Sequence, residues 1–216
     1  MERMISLLPA NAVTWLAAAR RSLRQSVLAF SGEKKGAALA PIPPQSDRLA
    51  EERFDKRNYF KALGQFATGV TVTTTCAIDG RSVGLTANSF SSVSLDPPLF
   101  LWSLSRQSSS LADFIGASHF AINVLAADQH YLSRRFSASH PGRFSGVDYA
   151  PGNAGIPLLN GAIACFVCRN VRQYDAGDHV ILIGEVEKYD LLERDPLVFH
   201  SGQYRVITRH AEFTES

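Results

Sequence analysis

The sequence predicts a mainly β protein: an antiparallel barrel, closed or split, with a few short helices and an N-terminal helical extension. Three observations favour this fold class. β-branched residues alternate over residues 70–78 and lead into Asp79-Gly80, a strong hairpin signal. The apolar run 99–102 is typical of a buried strand. No G-x-G-x-x-G motif follows a predicted strand, so a Rossmann domain is not expected.

The first 49 residues are predicted to form a helix and a linker ahead of the folded domain. In residues 10–30, apolar side chains recur at spacings of three and four, with arginines beside them. Such a helix fits a packing or oligomer-stabilising role, a membrane-surface or targeting segment, or upstream sequence of no function. Residues 31–49 hold glycines and prolines that favour an extended linker. The folded domain is therefore placed at residues 50–210.

The domain is predicted to begin with a helix over 51–67 and to continue as strands joined by tight turns. Strands are expected over 70–78, 83–90, 99–104, 120–125, 161–174, 178–190 and 204–208. Short helices are expected over 111–117, with Ser110 as its N-cap, and over 127–136. Residues 137–158 are rich in glycine and proline, and a loop of this length is more often functional than accidental.

Composition excludes several classes of protein. The net charge of +2 over 216 residues is far from that of a dedicated nucleic-acid binder. No apolar stretch is long enough for a membrane span. Three cysteines, an odd number, fit a reducing compartment, so a cytoplasmic location is expected. Cys165 and Cys168 lie three apart on a predicted strand and face opposite sides, so no metal site is expected there.

Residues 84–110 are unusually dense in small hydroxyl side chains, in two clusters separated by the turn at 95–98. The clusters also contain Asn88 and Arg106. Hydroxyls, free backbone N–H groups and an arginine are what a phosphate monoester needs. The stretch therefore predicts a phosphate-bearing cofactor held across two strand ends. The alternative is a serine-rich surface turn, because Ser and Thr are common in turns.

Four motifs occur in a fixed order: FATGVTVTTT, GLTANSFSSVSLDPPLFLWSL, HFAINVL and GDHVILIGEV. Through them, the chain from about residue 54 to about residue 207 resembles the flavin reductase domain family. The resemblance implies an FMN-binding split barrel. It also implies an NAD(P)H:flavin oxidoreductase that supplies reduced flavin to a two-component monooxygenase. It does not cover the first fifty residues.

The resemblance also implies which residues form the site. His179, in the Gly177-Asp178-His179 motif, is expected to line the nicotinamide pocket as the catalytic residue, and the alternative is a histidine that merely caps a strand end. Tyr204 is expected on the nicotinamide side, and Arg106 near the phosphate on chemical grounds. The remaining cofactor-binding residues fall at the flavin border, along the ring and ribityl chain, and at the phosphate: Thr68, Gly69, Thr86, Ala87, Asn88, Ser89, Ser92, Ser103, Ser105 and Ser108.

The predicted function is reduction of FMN or FAD by NADH or NADPH, in a homodimer that passes reduced flavin to a separate monooxygenase. The residues leave the choice of flavin and of nicotinamide open, since no Rossmann crossover places a ribose-reading residue. Two alternatives remain: an oxidoreductase with a fixed prosthetic FMN, and a non-enzymatic flavin-binding module. A hydrolase is not expected, because the chain lacks a G-x-S-x-G elbow.

Overall fold

The computed structural model describes residues 54–138, 140, 142–208 and 210. Three α-helices are described: α1 (Lys56–Leu63), α2 (Leu111–Gly116) and α3 (His130–Ser137). The strands are β1 (Thr68–Gly69), β2 (Thr71–Cys76), β3 (Ser82–Ala87), β4 (Ser91–Leu95), β5 (Pro98–Ser105), β6 (His119–Val124), β7 (Tyr149–Pro151), β8 (Pro157–Leu159), β9 (Ala164–Ala176), β10 (His179–Leu191), β11 (Val198–His200) and β12 (Gln203–Arg205).

A seven-stranded sheet in the order β3-β2-β6-β9-β10-β5-β4 organises these elements, and every neighbouring pair in it is antiparallel. Two small sheets accompany it, one of β1, β11 and β12 and one of β7 and β8. The predicted mainly β, antiparallel architecture is confirmed. The predicted helix over 10–30 and the linker over 31–49 lie outside the described residues.

The core lies where the aromatic side chains of the large sheet meet α2. Trp102 of β5 packs edge-on against Phe114 of α2 and Phe120 of β6, with ring centroids 5.0 and 5.8 Å apart. All three side chains are completely buried. Aromatic pairs in this geometry add to the stabilisation from burial alone, so this cluster anchors β5, whose end carries part of the site.

Gly184 of β10 faces this core with no room for a side chain. A Cβ at this position would lie 2.5 Å from Cζ of Phe120 and 2.8 Å from Cβ of Cys168. Overpacking of this kind costs about 1–3 kcal/mol, and Gly184→Ala is expected to lower the free energy of unfolding by that amount. Gly116→Ala is the matched control, because nothing lies within 4 Å of its Cβ position. Urea denaturation compares them, and equal midpoints for both variants would contradict the packing described here.

The N-terminal helix is shorter than predicted, Lys56–Leu63 rather than 51–67. Asp55 begins it, because its carboxylate accepts hydrogen bonds from the amides of Arg57 at 2.8 Å and Asn58 at 3.3 Å. The apolar stripe that predicted this helix is exposed, and no residue of α1 is buried. The stripe therefore does not face the core formed by the described residues.

Several short strands were not predicted. β4 forms the sheet edge and pairs with β5 through a bulge between Ser92 and Ser94, where the sequence indicated only a hydroxyl cluster and a turn. β7 and β8 pair inside the segment predicted as a long loop, and β11 lies beside β1. Ser110 is the N-cap residue of α2 as predicted, but its side chain makes no capping hydrogen bond.

The long segment after α3 is tied to the protein at both ends. Near its start, the guanidinium group of Arg135 donates to the carbonyl oxygens of Arg143, at 2.5 Å, and of Ser145. Near its end, the Thr74 hydroxyl donates to the Pro157 carbonyl at 2.6 Å. These bonds hold the intervening chain against the strands rather than leaving it free.

Both cysteines of β9 are free thiols in structural positions. Burial raises the pKa of Cys165 to about 11 and that of Cys168 to about 12. Both thiols are therefore protonated and weakly nucleophilic at neutral pH. In the part of the chain that the structure describes, no helix is long and apolar enough to cross a membrane.

Candidate functional site

A surface cavity of about 460 Å³ lies where the ends of β3 and β5 meet α3 and the β9–β10 turn. It brings together eight of the predicted site residues: Thr86, Ala87, Asn88, Ser89, Ser103, Ser105, Ser108 and His179. Three apolar residues also line it: Leu85, Leu104 and Phe136. A cavity of this size, in which polar groups converge beside a few apolar side chains, is typical of a ligand site.

The hydroxyl groups of the cavity divide into two kinds. The hydroxyls of Thr86 and Ser89 are used by the fold: the first donates to the Ser133 carbonyl at 2.7 Å, the second to the Ser103 carbonyl at 3.1 Å. The hydroxyls of Ser105 and Ser108 instead accept, from the amides of Gln107 and Ser110, both at 3.2 Å. Their O–H groups remain available as donors, which is what a phosphate oxygen requires.

Arg143, which lies in the segment after α3, supplies the positive charge of the cavity. Its Nη1 donates to the Gly84 carbonyl and its Nε to the Ala138 carbonyl, each at 2.8 Å. Among the described residues, no carboxylate lies within ion-pair distance of this guanidinium group. Its charge is thus uncompensated, and its remaining N–H groups can bind an anion.

Arg106 makes its side-chain contacts outside the cavity, and its predicted place near the phosphate stays a prediction. Its side chain pairs with Asp175, and its Nε donates to the Gly177 carbonyl at 3.2 Å. Its backbone amide donates to the Asp178 carbonyl at 2.9 Å. Arg106 does not line the cavity; it holds the turn that carries His179.

His179 lies at the start of β10, directly opposite Ser105 of β5 in the strand register. Gly177 makes the preceding turn possible, because its φ of +63° lies in the left-handed region. Nδ1 of His179 lies 2.7 Å from the Asp178 carboxylate, and this hydrogen bond holds the pKa of Asp178 below its usual range. An ionised carboxylate only accepts, so Nδ1 carries the proton and Nε2 is the ring nitrogen left for a ligand.

The other predicted residues lie outside this cavity: Thr68, Gly69, Ser92 and Tyr204. Thr68 and Gly69 pair with β11, and Ser92 is exposed on the edge strand. The Tyr204 hydroxyl donates to Oγ of Ser133 in α3 at 2.9 Å. Their assignment to the cofactor stays a prediction.

Seven lining residues were not among the predicted site residues: Leu85, Leu104, Gln107, Ser109, Phe136, Ser137 and Arg143. The signal for Arg143 was its position in a long glycine- and proline-rich segment, which was predicted to be functional only as a whole. The donor set fits a phosphorylated aromatic cofactor, because free hydroxyl donors and an uncompensated arginine lie beside the apolar side chains of Leu85, Leu104 and Phe136. The fold and site thus define a small antiparallel barrel protein that binds such a cofactor without a Rossmann or P-loop motif.

The comparisons with known proteins agree with this class. The family model described as "Flavin reductase like domain" matches residues 63–208, and the chain belongs to this family. FMN reductase (NADH) SmoA of Agrobacterium fabrum is 46% identical over 156 residues, which cover 72% of this chain and 88% of SmoA. The reductase component of the flavin-dependent trigonelline monooxygenase of Acinetobacter baylyi is 46% identical over 143 residues, 66% of this chain and 46% of that protein's length.

Among solved structures, the NADH:FAD oxidoreductase SgcE6 of Streptomyces globisporus, in complex with NAD and FAD fragments, aligns with a TM-score of 0.69. It is 34% identical, and the alignment covers 78% of this chain and all of SgcE6. The predictions of a flavin reductase split barrel and of an NAD(P)H:flavin oxidoreductase are confirmed.

Proposed function

We propose that the protein reduces free FMN or FAD with NADH, as a cytoplasmic homodimer, and releases the reduced flavin to a separate monooxygenase. The observation that carries this proposal is the combination of an unneutralised arginine with two free serine donors at an open cavity. Asn88, Gln107 and Ser109 line the cavity and are exposed, so a ligand there remains in contact with solvent. An exposed cavity suits a flavin that exchanges with free flavin in solution rather than a permanently bound prosthetic group.

The residues have distinct roles in this proposal. Ser105, Ser108 and Arg143 bind the flavin phosphate, and Leu85 and Leu104 contact the ring system. His179, oriented by Asp178, binds the nicotinamide on the exposed side. When bound, the flavin supplies the redox chemistry by accepting hydride, and the protein contributes the relative position of the two ring systems. No acid or base of high precision is needed, which fits a cavity without a catalytic triad.

Two observations support the homodimer and the partner. Large apolar side chains stand exposed on the described surface, among them Phe60, Phe66, Leu95 and Leu191 at 69, 78, 92 and 71% exposure. Burial of these side chains against a second copy or a partner would remove apolar surface from water. The relatives include proteins named as the reductase component or subunit of a flavin-dependent monooxygenase, in Acinetobacter baylyi and Rhodococcus jostii.

Gel filtration of the protein loaded with FMN tests the release of flavin. We expect the flavin to separate from the protein, because the cavity is open and leaves the ligand in contact with solvent. The same column reports the oligomeric state, and we expect the mass of two chains. Stoichiometric FMN in the protein peak would contradict the shuttle and favour a fixed prosthetic group.

A further inference from the structure

A tight turn, residues 142–145, carries Arg143 into the wall of the proposed flavin cavity. The turn is closed by a hydrogen bond from the Ser145 amide to the Gly142 carbonyl at 2.9 Å, and Arg143 is its second residue. Gly142 begins it with a φ of +84°, in the left-handed region. The place of the Arg143 guanidinium group therefore depends on what holds this segment, which we call the 142–145 turn.

Arg135 of α3 holds the 142–145 turn from outside the cavity. Its Nε donates to the Arg143 carbonyl at 2.5 Å, and its Nη2 donates to the carbonyls of Gly142, at 3.5 Å, and of Ser145. Among the described residues, no carboxylate lies within ion-pair distance of Arg135, and its side chain does not line the cavity. Its described hydrogen bonds thus all go to one turn, and the planar guanidinium group fixes several peptide units at once.

The next residue of α3 supports the same turn through packing. Phe136, whose side chain is buried, lies edge-on to Phe144 with ring centroids 4.9 Å apart. Packing of two rings keeps the turn close to α3, but it does not set the direction of individual peptide units. Hydrogen bonds are directional, so the bonds from Arg135 supply what the ring packing does not.

We propose that Arg135 is a positioning residue for the flavin phosphate, on which it acts through the 142–145 turn and Arg143 without touching the flavin. This inference rests on the proposed function, because it needs Arg143 to bind the phosphate. Nε and Nη1 of Arg143 donate to the Ala138 and Gly84 carbonyls, at 2.8 Å each, so the place of its remaining N–H groups follows from the place of its backbone. Without Arg135 the turn is less restrained, and those N–H groups are no longer held ready for a phosphate.

Dissociation constants of FMN and riboflavin for the full-length protein, measured by quenching of flavin fluorescence, test the inference. Arg135→Ala is expected to weaken FMN binding about five- to tenfold, less than Arg143→Ala, because the phosphate loses well-placed donors rather than the charge itself. Riboflavin, which has no phosphate, is expected to bind within about twofold of its wild-type affinity.

Arg134→Ala is the matched control, because Arg134 is the neighbouring arginine in the last turn of α3 and is equally exposed. Its guanidinium group lies over the Tyr204 ring, 5.9 Å from the centroid, and not on the 142–145 turn. Loss of one positive charge near the end of α3 is therefore common to both variants, and only Arg135→Ala removes the bonds to the turn. We expect Arg134→Ala to leave the affinity for both flavins unchanged.

A double-mutant cycle tests whether Arg135 acts through Arg143. In the Arg143→Ala background, Arg135→Ala is expected to change FMN affinity by less than about twofold, because the group that it positions is gone. Arg135→Lys keeps the positive charge but lacks the planar fork that donates to the carbonyls of the turn. It is therefore expected to restore only part of the FMN affinity.

The outcomes separate the inference from the proposed function. Unchanged FMN affinity in Arg135→Ala, together with a loss in Arg143→Ala, would overturn the inference and leave the proposed flavin site in place. An equal loss for riboflavin would make the role of Arg135 structural and also overturn it. A full effect of Arg135→Ala in the Arg143→Ala background, or full restoration by Arg135→Lys, would reduce Arg135 to a charge that attracts the phosphate, which contradicts positioning. Failure of Arg143→Ala to weaken FMN would instead overturn the proposed phosphate role of Arg143.

Discussion

Arg143→Ala is expected to weaken FMN binding by about 10- to 100-fold, the range for loss of hydrogen bonds from a charged donor. Riboflavin binding should change far less, because riboflavin presents no phosphate to the guanidinium group. The physical reason is the uncompensated charge of Arg143, whose Nε and Nη1 are fixed by the Ala138 and Gly84 carbonyls. Fluorescence quenching with each flavin measures both constants.

Two further variants separate phosphate binding from support of the chain segment. Arg143→Lys keeps the charge but not the paired donors, and it should restore part of the affinity for FMN. Arg194→Ala removes an arginine that donates to the Gly161 carbonyl at 2.9 Å outside the cavity, and it should leave both flavins unaffected. If Arg143→Ala weakened riboflavin and FMN equally, Arg143 would organise the cavity wall rather than bind phosphate.

His179→Ala is expected to raise the KM for NADH on the order of tenfold while the dissociation constant of the flavin stays unchanged. The ring stands where β10 begins, with Nδ1 bound to Asp178 and Nε2 left for a ligand. Steady-state kinetics at saturating flavin gives the first quantity, and flavin fluorescence gives the second.

Asp178→Asn is the matched variant for His179. An asparagine oxygen still accepts the hydrogen bond from Nδ1, but the negative charge beside the ring is gone, so we expect a smaller rise in the KM for NADH. A loss of flavin affinity in His179→Ala comparable to the rise in KM would move His179 out of the nicotinamide role and into the flavin site.

The strands that the sequence predicts are those with strong local signals. The alternating run before Asp79-Gly80 becomes β2, and the turn has Gly80 at a φ of +83°. The apolar run at 99–102 becomes the centre of β5, since Trp102 has to be buried. Burial of β-branched and aromatic side chains, together with glycine turns, acts over a few residues and is therefore visible in the sequence.

The edge strand β4 was missed for a physical reason. Four of its five residues are exposed, so it shows no burial pattern, and its pairing with β5 comes from backbone hydrogen bonds that any residue can make. The apolar stripe predicted a helix over 51–67, which is longer than α1. The helix ends at Gly64, and no residue of α1 is buried, so the apolar spacing beyond Gly64 does not reflect helical packing.

Site residues that lie close together in the sequence could be predicted, whereas residues brought to the site from distant parts of the chain could not. Ser103, Ser105 and Ser108 were found because they are close together in the sequence. Arg106 directly follows the serines of β5 and Arg143 lies in the glycine- and proline-rich segment, and no local rule decides which one faces a ligand. The ion pair with Asp175 uses Arg106, whereas the bonds from Arg135 hold the segment that places Arg143 in the cavity wall.

Consumption of NADH with and without added free flavin tests whether flavin is a substrate of this protein. We expect negligible turnover of the purified protein alone. We expect turnover to rise and saturate as FMN or FAD is added, and NADPH in place of NADH settles the preferred donor in the same assay. Consumption of NADH that does not depend on added flavin would rule out flavin as a substrate, because it would require a flavin that stays bound and passes electrons to another acceptor.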